Sequence, residues 1–241
     1  MMVKVMVFLT VLFFIGMLII KRFVYFQPGY SFISPKENFQ DIYQGNLHAW
    51  FKQGNEKVIL FCHGNAGNLS HRQDKLIELI KIGCSVLIFD YSGFGQSKGV
   101  PNEQLCYSNA SIFVEYLLRK GYKSENIIPY GESLGAAVAA YTARKYRLPK
   151  MILESGLPGV QHLIKNRFPF FRLLGIIFNE FDTVSFMKGY NGKSLVLHCL
   201  DDEIVPYSSI GEIKNMATKM IDMDGGHNNC LLYTSDAADD T

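Results

Sequence analysis

Residues 127–145 read IIPYGESLGAAVAAYTARK, and this stretch decides the fold. A short apolar run ends at Tyr130, the motif G-x-S-x-G follows, and alanine-rich helical sequence begins at Leu134. Here the chain must turn sharply from strand to helix at Ser133, and only glycine on either side avoids clashes with neighbouring elements. The hydroxyl then projects at a helix N-terminus, which favours developing negative charge. The pattern predicts a catalytic serine; a purely structural glycine turn is the alternative.

Strand and helix patterns alternate outward from this motif. Apolar or β-branched runs predict strands at residues 57–62, 85–89, 127–130, 150–153, 194–198 and within 216–223. Helical spacing predicts helices at residues 70–82, 103–119 and 134–146. Ser70 is the expected N-cap of the first helix. This alternation predicts the α/β class, with a mostly parallel central sheet flanked by helices.

A serine hydroxyl needs a general base, and His227 is the best placed of six histidines. It ends the sequence DGGH, just after the last predicted strand. A histidine of ordinary pKa suits proton transfer near neutral pH. The chain order serine, acid, histidine is the one expected for this serine motif. A histidine of a surface loop without a catalytic role is the alternative.

The acid should lie between Ser133 and His227, in a loop after a strand. Residues 198–206 read HCLDDEIVP and supply three carboxylates. A buried carboxylate there would orient the imidazole and stabilise its cation. Composition does not separate Asp201 from Asp202, and either could instead form an Asx turn or cap a helix.

Acyl transfer also needs hydrogen-bond donors for an oxyanion. The N–H of Leu134, directly after the serine, is one candidate. The loop FCHGNAGN at residues 61–68 could supply a second through the N–H of Asn65. A phosphate-binding loop is the alternative, but no Gly-Lys-Ser/Thr follows, as a P-loop would require.

Composition excludes several classes of protein. The 241 residues contain 24 Lys and Arg against 22 Asp and Glu, a balance unlike that of nucleic-acid-binding proteins. The five cysteines have no C-x-x-C spacing, so neither a disulfide framework nor a zinc site is expected. The sequence predicts no metal and no organic cofactor.

The first 28 residues predict a membrane anchor. Residues 5–20 carry no charge and are flanked by Lys4 and by Lys21 and Arg22. A helix of this length falls slightly short of a bilayer core, and the basic flank can snorkel to the interface. A cleaved signal peptide and a buried core helix are the alternatives. Basic residues balance across the span, so the side of the membrane stays open.

An α/β domain is expected over residues 29–229, with a partial lid at about 155–192. The lid segment is aromatic and apolar and could contact acyl chains, or it could simply pack on the core. Residues 230–241 read CLLYTSDAADDT, and residues 230–240 resemble a translated sequencing adapter. A non-native tail is therefore expected there, with a native acidic tail as the alternative.

Together these motifs resemble the α/β-hydrolase superfamily, and more narrowly its membrane-anchored, serine-aminopeptidase-like branch. The resemblance rests on HGNAGN at 63–68, DYSGFGQSKG at 90–99, GESLG at 131–135, DDEIVP at 201–206 and GGH at 225–227.

The resemblance implies a role for each candidate residue. Ser133 would be the nucleophile, His227 the base, and the N–H groups of Asn65 and Leu134 the oxyanion donors. The spacing of the family's acid from its Val-Pro maps to Asp202, with Asp201 as the fallback. The family's C-terminal helix is replaced here by the adapter-like string. The resemblance therefore implies uncovered apolar sheet surface and a poorly stable chain.

The expected function is a membrane-anchored serine hydrolase of carboxylic esters or thioesters, with amides as a further class. Its partners would be a small-molecule or lipid-like acyl substrate and the membrane, and no nucleic acid. A serine-aminopeptidase-like peptidase, an acyl transferase and a non-catalytic membrane scaffold with the same fold are the alternatives.

Overall fold

The computed structural model describes residue 8, residues 27–29, residues 31–162 and residues 180–227. The strands of this part are β1 (Gln27–Pro28), β2 (Gln40–Gln44), β3 (Leu47–Lys52), β4 (Val58–Cys62), β5 (Ala66–Gly67), β6 (Ser85–Phe89), β7 (Ile127–Glu132), β8 (Lys150–Glu154), β9 (Lys193–Cys199) and β10 (Lys219–Met223). Its helices are α1 (Gln73–Lys81), α2 (Glu103–Arg119), α3 (Gly135–Lys145), α4 (Thr183–Met187) and α5 (Gly211–Met216).

Eight strands form one sheet in the order β10-β9-β8-β7-β4-β6-β3-β2. Pairing is parallel from β10 through to β6, and antiparallel from β6 to β3 and from β3 to β2. Every residue of β4, β6 and β7 is buried, because helices cover both faces of the middle of the sheet. The predicted mostly parallel sheet with flanking helices is confirmed.

The antiparallel strands β2 and β3 were not among the predicted elements. Their sequences, QDIYQ and LHAWFK, mix polar and apolar residues without a clean period of two. His48 is fully buried in β3, and its Nε2 lies 2.7 Å from Oδ1 of Asp41 in β2. A buried polar side chain that finds its partner on the next strand breaks the alternation from which strands are predicted.

The predicted helix over residues 103–119 has the same bounds as α2, and Asn102 caps it through a bond from the Leu105 N–H. The expected N-cap at Ser70 is wrong. A 3₁₀ turn covers Leu69–Arg72, and its cap is Asn68, whose side chain accepts from the Ser70 N–H. The Ser70 hydroxyl donates to the same Asn68 oxygen and accepts from the N–H of Ile33.

The core lies on both faces of the sheet. Leu60 packs in the larger cluster, under α2 and α3, whereas its neighbours Ile59 and Phe61 pack in a second cluster under α1. This alternation follows from the pleat of β4. Helix α3 buries five alanines at 0% exposure, and their small size brings the helix backbone close to the sheet.

Several predictions concern residues outside the described ranges. These are most of the anchor at 1–28, the aromatic part of the lid at 168–178, the tail at 230–241 and the replaced C-terminal helix. The described residues 180–192 of the lid segment carry α4. There Phe181 and Phe186 place their rings 6.1 Å and 5.4 Å from the ring of Tyr107 in α2.

Candidate active site

The candidate residues converge at the carboxyl edge of the parallel strands. Ser133 follows β7, Asn65 follows β4, Asp202 follows β9 and His227 follows β10. In a parallel sheet these ends share one edge, which is where open α/β folds place their ligand sites. Residues far apart in sequence therefore become neighbours because of strand order alone.

Ser133 occupies a strained turn between β7 and α3. Its φ is 54°, in the left-handed region that non-glycine residues rarely adopt. A Cβ on Gly131 would collide with the carbonyl oxygen of Gly135, and one on Gly135 would collide with that of Cys62. The Ser133 N–H donates to Glu154 O over 2.9 Å, which ties the turn to the end of β8. The steric reason for both glycines is confirmed.

Three of the predicted site residues form a hydrogen-bonded chain. Nε2 of His227 lies 2.9 Å from Oγ of Ser133, and Nδ1 lies 2.9 Å and 2.8 Å from the two carboxylate oxygens of Asp202. Since Nδ1–H donates to the carboxylate, Nε2 is left to accept the serine proton. His227 and Asp202 are each 5% exposed, whereas Ser133 is half-buried. The arrangement can transfer a proton from a serine hydroxyl to an imidazole.

The structure separates the two candidate acids. Asp202 is buried against His227, whereas Asp201 is exposed. The Asp202 carboxylate also accepts from the N–H groups of Ile204 (3.0 Å) and Val205 (2.7 Å). Burial would raise the pKa of Asp202, but the bonds from His227 and Val205 and nearby positive charge outweigh it, so this pKa lies below its ordinary value. The geometry favours Asp202 as the acid.

A second buried histidine supports the acid loop. His198 is fully buried, and its Nε2 donates to the carbonyl of Val205 over 2.9 Å. The same nitrogen lies 3.6 Å from Asp202. Burial lowers the pKa of His198 below its ordinary value, against the raising effects of the Val205 carbonyl and of Asp202. The loop is thus held by two histidines, since His198 binds the Val205 carbonyl and His227 binds the Asp202 carboxylate.

The two proposed oxyanion donors border the serine. Leu134 begins the first turn of α3, where N–H groups have no partner within the helix. Asn65 follows Gly64, and a Cβ built on Gly64 would lie 3.4 Å from Cβ of Ser133. The loop carrying Asn65 therefore passes directly beside the serine, as a donor to its oxyanion would require.

Comparisons with known proteins bear on the fold. A family model described as alpha/beta hydrolase fold matches residues 57–175. The chain is 31% identical over 186 residues to alpha/beta hydrolase domain-containing protein 17C of Xenopus tropicalis, covering 75% of this chain but 59% of the frog protein. It is 30% identical over 200 residues to an uncharacterised protein of Acanthamoeba polyphaga mimivirus, covering 72% of this chain and 67% of the viral protein.

Solved structures share the fold at lower identity. An alpha-beta hydrolase from Vibrio vulnificus superposes with a TM-score of 0.70 at 21% identity, covering 84% of this chain and 79% of that one. An esterase from Pyrococcus furiosus also gives 0.70, at 17% identity, with 89% and 96% covered. The chain has the α/β-hydrolase fold.

A buried charge cluster beside the serine was not predicted from the sequence. Glu132 and Glu154 end the neighbouring strands β7 and β8, and Arg72 and Lys75 approach them from the start of α1. The available signal was a carboxylate ending each of two adjacent apolar strands. Buried carboxylates require cationic partners. Which cations supply the charge depends on how α1 packs, and no local pattern contains that information.

Two further expectations concern membrane and metal. Within the described ranges, no helix is both long and apolar enough to cross a membrane, and residues 5–20 lie outside those ranges except for Phe8. The same part of the chain holds no group of three or more His, Cys, Asp or Glu side chains suited to a metal ion.

Proposed function

We propose that this chain is a membrane-anchored serine hydrolase that cleaves carboxylic ester or thioester bonds. The observation that carries the proposal is the chain from Asp202 through His227 to Ser133, whose links measure 2.8 Å to 2.9 Å. Nucleophile, base and orienting acid thus lie within bonding reach of one another, on a fold that is widely used for hydrolysis.

In the proposed first step, Oγ of Ser133 attacks the substrate carbonyl carbon while its proton passes to Nε2 of His227. The carbonyl π electrons move to oxygen, and the N–H groups of Asn65 and Leu134 stabilise that oxyanion. The Asp202 carboxylate stabilises the imidazolium that forms. Collapse of the tetrahedral intermediate expels the alcohol or thiol, which takes the proton from His227 and leaves an acyl-enzyme.

In the second step, water attacks the acyl-enzyme carbonyl and gives its proton to His227. Collapse releases the carboxylic acid, and the proton returns to Ser133. No step needs a metal or an organic cofactor. Esters and thioesters are favoured over amides because an alcohol or a thiol leaves a tetrahedral intermediate more readily than an amine does.

The test is labelling with a fluorophosphonate probe, followed by assays with ester, thioester and amide substrates. Wild type should label and hydrolyse, whereas Ser133→Ala should not label and should lose about 10⁶-fold in kcat, as for loss of a nucleophile elsewhere. Ser108→Ala is the matched control, because this exposed hydroxyl on α2 only donates to a backbone carbonyl of its own helix. Absence of labelling in folded wild type would refute catalysis and favour the scaffold.

The membrane part of the proposal rests on residues 5–20 and their basic flanks. We expect the full chain to stay with membranes after alkaline carbonate extraction. An arginine near the middle of the apolar stretch, as in Leu12→Arg, opposes insertion by about 3 kcal/mol and should release part of the protein. Complete extraction of wild type would contradict the anchor.

A further inference from the structure

Two buried carboxylates lie side by side beneath the serine. Glu132 pairs in register with Glu154 across β7 and β8, and both are buried, at 5% and 0% exposure. Glu132 directly precedes Ser133, and Glu154 O accepts from the Ser133 N–H. Neighbouring like charges in the protein interior are costly unless cations compensate them.

Two cations offset the negative charge of this carboxylate pair. Nζ of Lys75 lies 2.8 Å from Glu154 and 3.2 Å from Glu132, and Nε of Arg72 lies 2.8 Å from Glu132. Burial would raise the pKa of Glu132, but the two cations outweigh it and hold this pKa well below its ordinary value. Glu132 is therefore ionised, and the formal charges of the two carboxylates and the two cations sum to zero.

Arg72 makes a contact that Lys75 does not make among the described residues. Its Nη2 donates to the carbonyl of Ala66 over 2.9 Å, one residue beyond Asn65. The hydrogen bonds of Lys75 end on Glu132 and Glu154. One guanidinium thus joins the loop of the proposed oxyanion donor to the residue before the nucleophile, which its planar fork permits.

The loop backbone also packs against this guanidinium. A Cβ on Gly64 would lie 3.4 Å from Cβ of Ser133 and 3.5 Å from Nη2 of Arg72. A Cβ on Gly67 would lie 3.2 Å from Nη1 of Arg72. The backbone at Gly64 therefore lies beside both the serine and Arg72, and the backbone at Gly67 lies beside Arg72.

We propose that Arg72 is a positioning residue that sets the distance between the oxyanion loop and Ser133. Oxyanion donors act only when they lie about 2.7–3.1 Å from the developing charge. A shift of about 1 Å in such a group can cost about 100-fold in rate. Since Arg72 holds the Ala66 carbonyl and Glu132 together, it keeps the N–H of Asn65 at the required distance. This inference rests on the proposed function.

The test compares Arg72→Lys with Lys75→Met in the full chain. Arg72→Lys keeps the positive charge beside Glu132 but lacks the fork that also reaches Ala66. We expect kcat to fall about 10–100-fold on an activated ester, with KM within about threefold, because the defect lies in oxyanion stabilisation. Lys75→Met should lower the melting temperature while the folded enzyme keeps kcat within about threefold of wild type.

The outcomes separate this inference from the proposed function. If wild type neither labels nor hydrolyses, the proposed function itself fails. If wild type is active and Arg72→Lys keeps kcat within twofold, or if both variants lose activity only in proportion to their unfolded fraction, the positioning role is wrong. Should Lys75→Met not fold, the kcat and KM of Arg72→Lys against wild type still decide.

Discussion

The two halves of the candidate site are held in different ways. Ser133 and Asn65 follow β7 and β4, interior strands whose residues are all buried. Asp202 and His227 follow β9 and β10, and β10 is the edge strand of the sheet, with only its last residue buried. The nucleophile half thus depends on the packed centre of the fold, and the acid–base half on loops at its margin.

The contacts of the two halves differ accordingly. Backbone strain at Ser133 is accompanied by the close packing of Gly131 and Gly135 against backbone carbonyls. The acid loop is sustained by short-range bonds from Ile204 and Val205 to Asp202. We therefore expect substitutions of the packed glycines in the first half to impair folding, and substitutions in the second half to impair chemistry or the pH dependence of stability while the fold survives.

Beyond loss of the serine itself, the largest expected effect on kcat lies in the acid–base half. Asp202→Asn keeps the shape but cannot stabilise the imidazolium or select its tautomer, so kcat should fall by about 10⁴-fold. Far-ultraviolet circular dichroism should remain that of wild type. Asp201→Asn is the matched control, because Asp201 is exposed. A comparable loss in Asp201→Asn, with Asp202→Asn fully active, would exchange the roles of the two acids.

The next effect concerns the close glycine packing in the nucleophile half. Gly135→Ala places a Cβ against the carbonyl oxygen of Cys62, and we expect it to cost at least about 3 kcal/mol in the free energy of unfolding. Gly211 is the first residue of α5, and no atom lies within 4 Å of a Cβ added there. Gly211→Ala should therefore leave the free energy of unfolding unchanged or raise it by about 0.5 kcal/mol. Urea melts measure both, and equal melting curves would refute the difference between the halves.

The smallest expected effect is on the pH dependence of stability in the acid–base half. The pKa of His198 is lowered in the folded chain, chiefly by burial and also by His227, while Val205 O, Asp202 and Asp222 oppose the shift. The unfolded chain therefore binds a proton more readily, so His198 costs stability as pH falls below 6.5 towards its folded pKa. Tyr207 also faces His198, ring to ring at 5.9 Å.

His198→Gln keeps an N–H donor for the Val205 carbonyl but cannot take up a proton. Its free energy of unfolding should fall less steeply than that of wild type between pH 7 and pH 5, as measured by urea melts at each pH. Parallel curves for the two proteins would show that His198 contributes nothing to acid sensitivity.

Much of the fold was predictable because its signals are local. The strand at 85–89 and the helix at 103–119 have the predicted bounds, since a continuous apolar run and an amphipathic period each specify one element. The pair β2 and β3 was missed because a buried histidine there is satisfied across strands. Asn68 rather than Ser70 caps the turn before α1. Both side chains also hydrogen-bond to the backbone of residues 29–33, and no local pattern predicts these long-range bonds.

The sequence by itself determined the strained turn at Ser133, since a glycine on each side of this residue after an apolar strand leaves one steric solution. It also determined the order of serine, acid and histidine along the chain. The tertiary structure separated Asp202 from Asp201, which composition had left open, because adjacent residues of one loop differ in burial according to what lies opposite them. Only the tertiary structure likewise joined Arg72 to Glu132, sixty residues away. Long-range pairing of buried charge depends on how elements pack, and no local pattern in the chain records it.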